Sequence, residues 1–137
     1  MARSDEAFER HPRLRVGSIE HELSWARFFL FQADYCYTDR PLRGDWHRFA
    51  PGVLPSDFFK RNCFMSFQED AVGIRVRDVL GAETLMWGSD YPPVSTREGY
   101  DNSLRLPLEY FSDLSEDDRA SIFGATAQAV WGLPAVN

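Results

Sequence analysis

Residues 63–93 read CFMSFQEDAVGIRVRDVLGAETLMWGSDYPP, and the fold turns on how this stretch divides. Residues 63–68 are a short apolar run of strand length. Residues 69–81 then place Val72, Val76, Val79 and Leu80 on one side of a helix, with Gly81 in the C-cap position. A second strand follows over 83–90, in which Leu85, Met86 and Trp87 read as buried. Gly88 lets a chain or ligand approach the backbone closely, and Pro92 and Pro93 stop regular pairing. Strand, helix, strand is a βαβ unit, which requires parallel strands. Asp90, at the end of the second run, is then either a solvated turn residue or a group aimed into a site.

The same alternation extends toward the N-terminus. DEAFERHP (5–12) reads as a helix end stopped by Pro12, and RLRVGSI (13–19) as a strand in which Leu14, Val16 and Ser18 alternate with Arg15, Gly17 and Ile19. Residues 20–37 carry Leu23, Ala26, Phe29, Leu30 and Ala33 at helical spacing. Thr38 to Pro55 is rich in proline, glycine and charge and reads as a long irregular connection. SDFFKRN (56–62) opens with Ser56 as an N-cap and makes one or two helical turns. Two more helical patterns run from Leu104 to Leu114 and from Ser115 to Leu133, the second with a serine cap and acids at 116–118. Trp25, Trp87 and Trp131 fall at apolar positions and are expected in the core. The fold class is α/β with a parallel sheet, where ligands bind beyond the carboxyl ends of the strands.

A chain of 137 residues holds one domain with a core. Its net charge of −6 with scattered acids argues against a nucleic-acid backbone or an anionic membrane as partner. No apolar stretch approaches the roughly 20 residues that span a bilayer. The N-terminus has no hydrophobic run of a secretory signal, so a cytoplasmic protein is the default. Cys36 and Cys63 have no patterned spacing and read as reduced packing residues.

Three strand ends carry polar groups on one expected face: Glu20-His21, Gln68-Glu69-Asp70 and Asp90. His21 can shuttle a proton or bind a metal near neutral pH, and Asp90 can bind a divalent cation or act as a base. Each also has a plain structural reading: a hydrogen-bonded strand-end histidine, and an Asx turn or helix cap. Glu20 and Glu22 flank His21 and are placed to orient its ring or meet substrate, and Tyr91 to line a pocket or cover the sheet end. His11 falls at the opposite end of the sheet, and His47 beside Trp46 in the long loop reads as solvent-facing. Ser18 and Ser89 lack a nucleophile-elbow pattern, and there is no glycine-rich phosphate loop.

FERHPRLRVGSIEHELSWA (8–26) and residues 62–93, above all WGSDYP after a GIRVRDVLGAETLM unit, resemble the C-terminal part of the amidohydrolase-related proteins. That group includes the aminocarboxymuconate semialdehyde decarboxylase-like enzymes, and the resemblance runs from about Ala7 to Leu133. It implies a partial (β/α)8 TIM barrel, roughly strands six to eight with their helices. It further implies a divalent metal, zinc by resemblance, at the C-terminal face of a completed barrel. By motif, Asp90 matches the eighth-strand metal ligand and His21 the sixth-strand histidine that handles a proton. The metal would lower the pKa of a bound water to about 7, and hydrolysis or non-oxidative decarboxylation of a small-molecule substrate would follow. Arg40 and Arg43 in the long loop are candidates to contact a carboxylated or aromatic substrate.

The chain departs from the family pattern in having no H-x-H pair, Pro93 where a histidine usually follows, and Ala125 where asparagine is common. A full barrel takes about 250 residues, and three parallel strands leave both sheet edges unpaired. Met1 falls within the helix expected before the sixth strand, as in a truncated gene or a split protein. The resulting expectation is a chain inactive alone, completed by an N-terminal barrel half or by a second copy. The alternative is a non-catalytic remnant or interaction module.

Overall fold

Three short parallel strands, each followed by helical structure, form the frame of the computed structural model, which describes residues 4–39, 49–92 and 99–134. Helix α1 (Ser4–Arg10) leads into β1 (Val16–Ser18), and α2 (Ser24–Asp39) follows. Helix α3 (Pro55–Asn62) runs directly into β2 (Cys63–Phe67). A 3-10 turn (Gly73–Val76) continues into α4 (Arg77–Leu80), and a second one (Ala82–Thr84) delivers β3 (Leu85–Trp87). The rest is helical: α5 (Tyr100–Ser103), α6 (Arg105–Tyr110), α7 (Glu116–Ala120), a π segment (Ser121–Ala125) and α8 (Thr126–Trp131). No helix among the described residues is long and apolar enough to cross a membrane.

The sheet order is β1-β2-β3, with Ser18 opposite Met65 and Met65 opposite Leu85. The sequence order of strands is therefore their spatial order, and all three carboxyl ends lie at one end of the sheet. Met65 and Phe67 of β2 join Leu23, Ala26, Leu30, Ile74, Leu80, Leu85, Phe111 and Ile122 in the core. The Phe67 and Phe111 rings meet edge-on at 5.5 Å. On alternate positions Phe64 packs against Trp131, and a Cβ added at Gly17 would meet its ring at 2.6 Å. Gly17 is therefore a close approach between β1 and β2. Burial pushes the Cys63 thiol above its ordinary range, with Arg15 pulling the other way, so it stays protonated as a packing group.

Two buried polar residues flank β2. Asn62, fully buried, donates through Nδ2 to the carbonyls of Pro12 (3.0 Å) and Leu14 (2.7 Å), tying the approach to β1 against the start of β2. Asp70, 9% exposed, stands past the other end. Its Oδ2 accepts from the amides of Leu23 (2.8 Å) and Ser24 (2.7 Å), and its Oδ1 from Ser24 Oγ (2.5 Å) and the Gly73 amide (2.7 Å). One carboxylate thus caps α2 from a distant part of the chain and also starts the 3-10 turn. Burial pushes its pKa up, but the four hydrogen bonds outweigh that and hold it below the ordinary value.

Several sequence expectations change. The strand over 13–19 is only three residues long, and the helix over 20–37 begins at Ser24 because residues 20 and 22 are left-handed. The helix over 69–81 is split into a 3-10 turn and one turn of α4, and Ile74 rather than Val72 faces the core. The pull of Asp70 on the Gly73 amide sets that tighter start. Ser56 is not the cap of α3: Leu54 is, with Pro55 in the first turn and Asp57 accepting the Leu54 amide. Trp131 is 59% exposed and Trp25 38%, so of the three tryptophans only Trp87 approaches a core position. Ser115 does cap α7, accepting the Asp118 amide at 3.1 Å.

A Cβ at residue 73 would overlap the Asp70 carboxylate and Leu23 Cβ, so Gly73→Ala is expected to cost about 1–3 kcal/mol in urea unfolding. Asp70→Asn, which loses a charged acceptor, is expected to cost about 2–3 kcal/mol at neutral pH. The folded pKa of Asp70 is depressed, so its contribution is complete above the unfolded value of about 3.9 and is lost as pH falls through the lower folded value. The stability gap between wild type and Asp70→Asn should accordingly narrow as unfolding is repeated below about pH 4.

Candidate functional site

Backbone pairing between β1 and β2 stops at Ser18 and Met65, but the two segments stay joined beyond that point through side chains. The Glu20 amide donates to Ser66 Oγ at 3.0 Å. The Gln68 amide donates to the Glu22 carboxylate at 3.3 and 3.4 Å. The Leu23 and Ser24 amides reach Asp70. Between these contacts Glu20 (φ 61°) and Glu22 (φ 56°) are both left-handed, a conformation that non-glycine residues seldom adopt. His21 sits between them, exposed, with Nδ1 3.3 Å from Ser18 Oγ.

At the far edge, β3 hands over to Gly88, whose amide donates to the Phe67 carbonyl at 2.9 Å. Among the described residues nothing beyond its chain neighbours lies within 4 Å of where a Cβ on Gly88 would stand. Ser89 is half-buried, Asp90 is exposed with φ 49°, and Tyr91 is 73% exposed. His21 and Asp90 therefore leave the same end of the sheet from its two outer strands. With parallel strands about 4.8 Å apart, their strand ends are separated by about 10 Å.

Of the residues singled out in the sequence, Glu20, His21, Asp90 and Tyr91 all lie beyond the carboxyl ends of strands, as the βαβ reading requires. Glu22 is engaged by the β2 extension, and the ring of His21 is met by Ser18 rather than by either flanking glutamate. Arg40 and Arg43, with Trp46, His47 and Pro93, lie outside the described residues. The residues at these ends do not by themselves fit a metal: among the described residues no group of three or more His, Cys, Asp or Glu could hold one. Three participants, Ser18, Ser66 and Asp70, have no role in the sequence reading. Ser18 had a signal in its spacing of three from His21. Asp70 had none, because its main partners are 46 and 47 residues away.

A family model described as amidohydrolase matches residues 4–133. No curated protein sequence matches the chain. Among solved structures, an amidohydrolase from Mycobacterium avium subsp. paratuberculosis K-10 is similar at 21% identity and a TM-score of 0.69, over 90% of this chain and 29% of that one. The 5-carboxyvanillate decarboxylase of Sphingomonas paucimobilis is similar at 24% identity and a TM-score of 0.66, over 93% of this chain and 36% of that one. A dihydroxybenzoic acid decarboxylase from Polaromonas sp. JS666, solved with bound manganese and the inhibitor 2-nitroresorcinol, is similar at 20% identity and a TM-score of 0.59. It covers 94% of this chain and 37% of that one. At these identities the likeness shows fold: the small parallel sheet and its helices match part of amidohydrolase barrel proteins. The chain spans roughly a third of the length of these solved structures (29–37%).

Proposed function

Because this chain belongs to the amidohydrolase family, we propose that it is the C-terminal portion, roughly strands six to eight, of a metal-dependent barrel enzyme. The reaction is hydrolysis or non-oxidative decarboxylation of a small carboxylated or aromatic molecule. The observation that carries the reading is the family match over residues 4–133, set on three parallel strands whose ends bring Glu20-His21 and Asp90 to one face. The decarboxylases among the structural neighbours support the reaction class, and the manganese of one supports a divalent cation. In this proposal the protein is cytoplasmic.

The roles follow the positions. Asp90 is one ligand of a divalent cation, zinc in this proposal, whose Lewis acidity is what the family's chemistry draws on. His21 holds or delivers a proton, its ring steered by Ser18 at Nδ1. Glu20 and Tyr91 face substrate, and Arg40 and Arg43 meet a substrate carboxylate. The remaining cation ligands have to come from another part of a completed barrel, supplied by an N-terminal half or by a second copy. The edge strand supports this: Leu14, Val16 and Ile19, in and beside β1, are each more than 40% exposed, and β1 pairs on one side only among the described residues.

That exposed edge, with the absence of a metal cluster among the described residues, also favours a second reading, an interaction module that completes a split barrel without catalysis. The two readings part on substitution in the completed assembly. Asp90→Ala is expected to remove most of the bound metal and the activity together, whereas His21→Ala should keep much of the metal and lower kcat by about 100-fold or more. An assembly whose metal content ignores Asp90→Ala would overturn the ligand role. Arg40→Ala and Arg43→Ala should each lower kcat/KM, and unchanged values would remove both from the substrate site.

A further inference from the structure

We infer that Ser66, the Gln68 amide and Asp70, at alternate positions of β2 and its extension, form a clasp that positions His21 by holding its loop in a left-handed conformation. The backbone ladder ends at Ser18 and Met65. Past it, position 66 takes the amide of Glu20, position 68 meets the carboxylate of Glu22, and position 70 takes the amides of Leu23 and Ser24. The clasp thus advances in step with the segment it holds and keeps the register of the strands where strand geometry has ended.

What it holds is costly. Non-glycine residues at φ 61° and 56° on either side of His21 are each disfavoured, and such strain persists only where surrounding contacts over-determine it. Each left-handed residue has its own fastening: Glu20 through its amide to Ser66, Glu22 through its side chain to the Gln68 amide. With both ends fixed, the chain turns His21 back so that Nδ1 lies 3.3 Å from Ser18 Oγ, the last residue of β1. A relaxed loop would carry the ring away from that contact. Ser66, Glu22 and Asp70 are positioning residues in this account. They act on His21 through the backbone, and the functional weight of the clasp rests on the proton-handling role proposed above for His21.

The test is heteronuclear NMR on the full 137-residue chain. A left-handed residue brings its own amide and α-hydrogens close together, so Glu20 and Glu22 should give strong intraresidue cross-peaks, and the His21 ring should show contacts to the Ser18 β-hydrogens. In Ser66→Ala, exchange of the Glu20 amide is expected to speed up about five- to tenfold. The left-handed signals and the His21–Ser18 contact should weaken together, while amide protection along Cys63–Phe67 is retained. Ser66→Thr, which restores a hydroxyl acceptor, should recover all three. Glu22→Ala repeats the test at the second fastening and does not depend on how well Asp70 variants fold. Folded Ser66→Ala and Glu22→Ala chains that keep both the left-handed signals and the His21–Ser18 contact overturn the clasp, even with lower thermal stability. None of these readouts involves a metal or a substrate. An intact clasp in an assembly indifferent to Asp90→Ala would sink the functional reading alone, and a broken clasp would leave that reading standing.

Discussion

A buried carboxylate at Asp70 is the constraint on which the rest of this structure leans. Removing an ionised acid from water is expensive unless donors replace the lost hydration. Here three backbone amides and one hydroxyl do so, drawn from the start of α2 and from the turn after β2. The same bonds fix where α2 begins, where the 3-10 turn before α4 begins, and how closely they pack. Gly73 stands where it does because no side chain fits between its backbone, Asp70 and Leu23. The core residues Leu23 and Ile74 are brought together by this polar joint, and the apolar cluster around Met65 and Phe67 closes over it.

Strand β2 is accordingly more than the middle of a three-stranded sheet. Its apolar side chains fill the core, and polar residues along it and at its two ends, Asn62, Ser66 and Asp70, fasten the edge segment from Pro12 to Ser24. Strand β1 has little apolar burial of its own, since Leu14, Val16 and Ile19 are all exposed. Directional hydrogen bonds do for it what packing does for β3. An edge strand held in place yet carrying exposed apolar residues can receive another strand, which is consistent with the proposed role as a piece of a barrel.

Much of this was legible in the sequence where the pattern is local. Cys63–Phe67, Leu85–Trp87 and the helix through Ala26 and Leu30 follow from apolar runs and spacing, and the serine cap at 115 from its own three neighbours. The strand-end rule places Glu20, His21 and Asp90 at one end of the sheet from the sequence alone. What failed were statements that depend on a distant partner. Val72 and Val79 continue a helical stripe yet are exposed, because the segment opens at Gly73 as a 3-10 turn held by Asp70 instead of running as one α-helix. Trp131 occupies an apolar position whose only described ring contact is Phe64, so its spacing did not reveal its exposure. Asp70 itself looked like one more acid at a strand end, since its importance comes from amides far away in the chain.

Family membership and fold are consistent with the proposal that these strand ends present a few polar groups to a site assembled from many strands. In the proposed function the chain would contribute one carboxylate and one imidazole, from strand ends about 10 Å apart by strand spacing, and the rest of the site would come from the remainder of a barrel. The most direct measurement is metal analysis of the purified chain, read separately for each species resolved by size-exclusion chromatography. The account predicts that the monomer holds far less than one metal per chain and that stoichiometric metal, where found, travels with a larger assembly. A monomer that keeps one tightly bound metal through chromatography would contradict it.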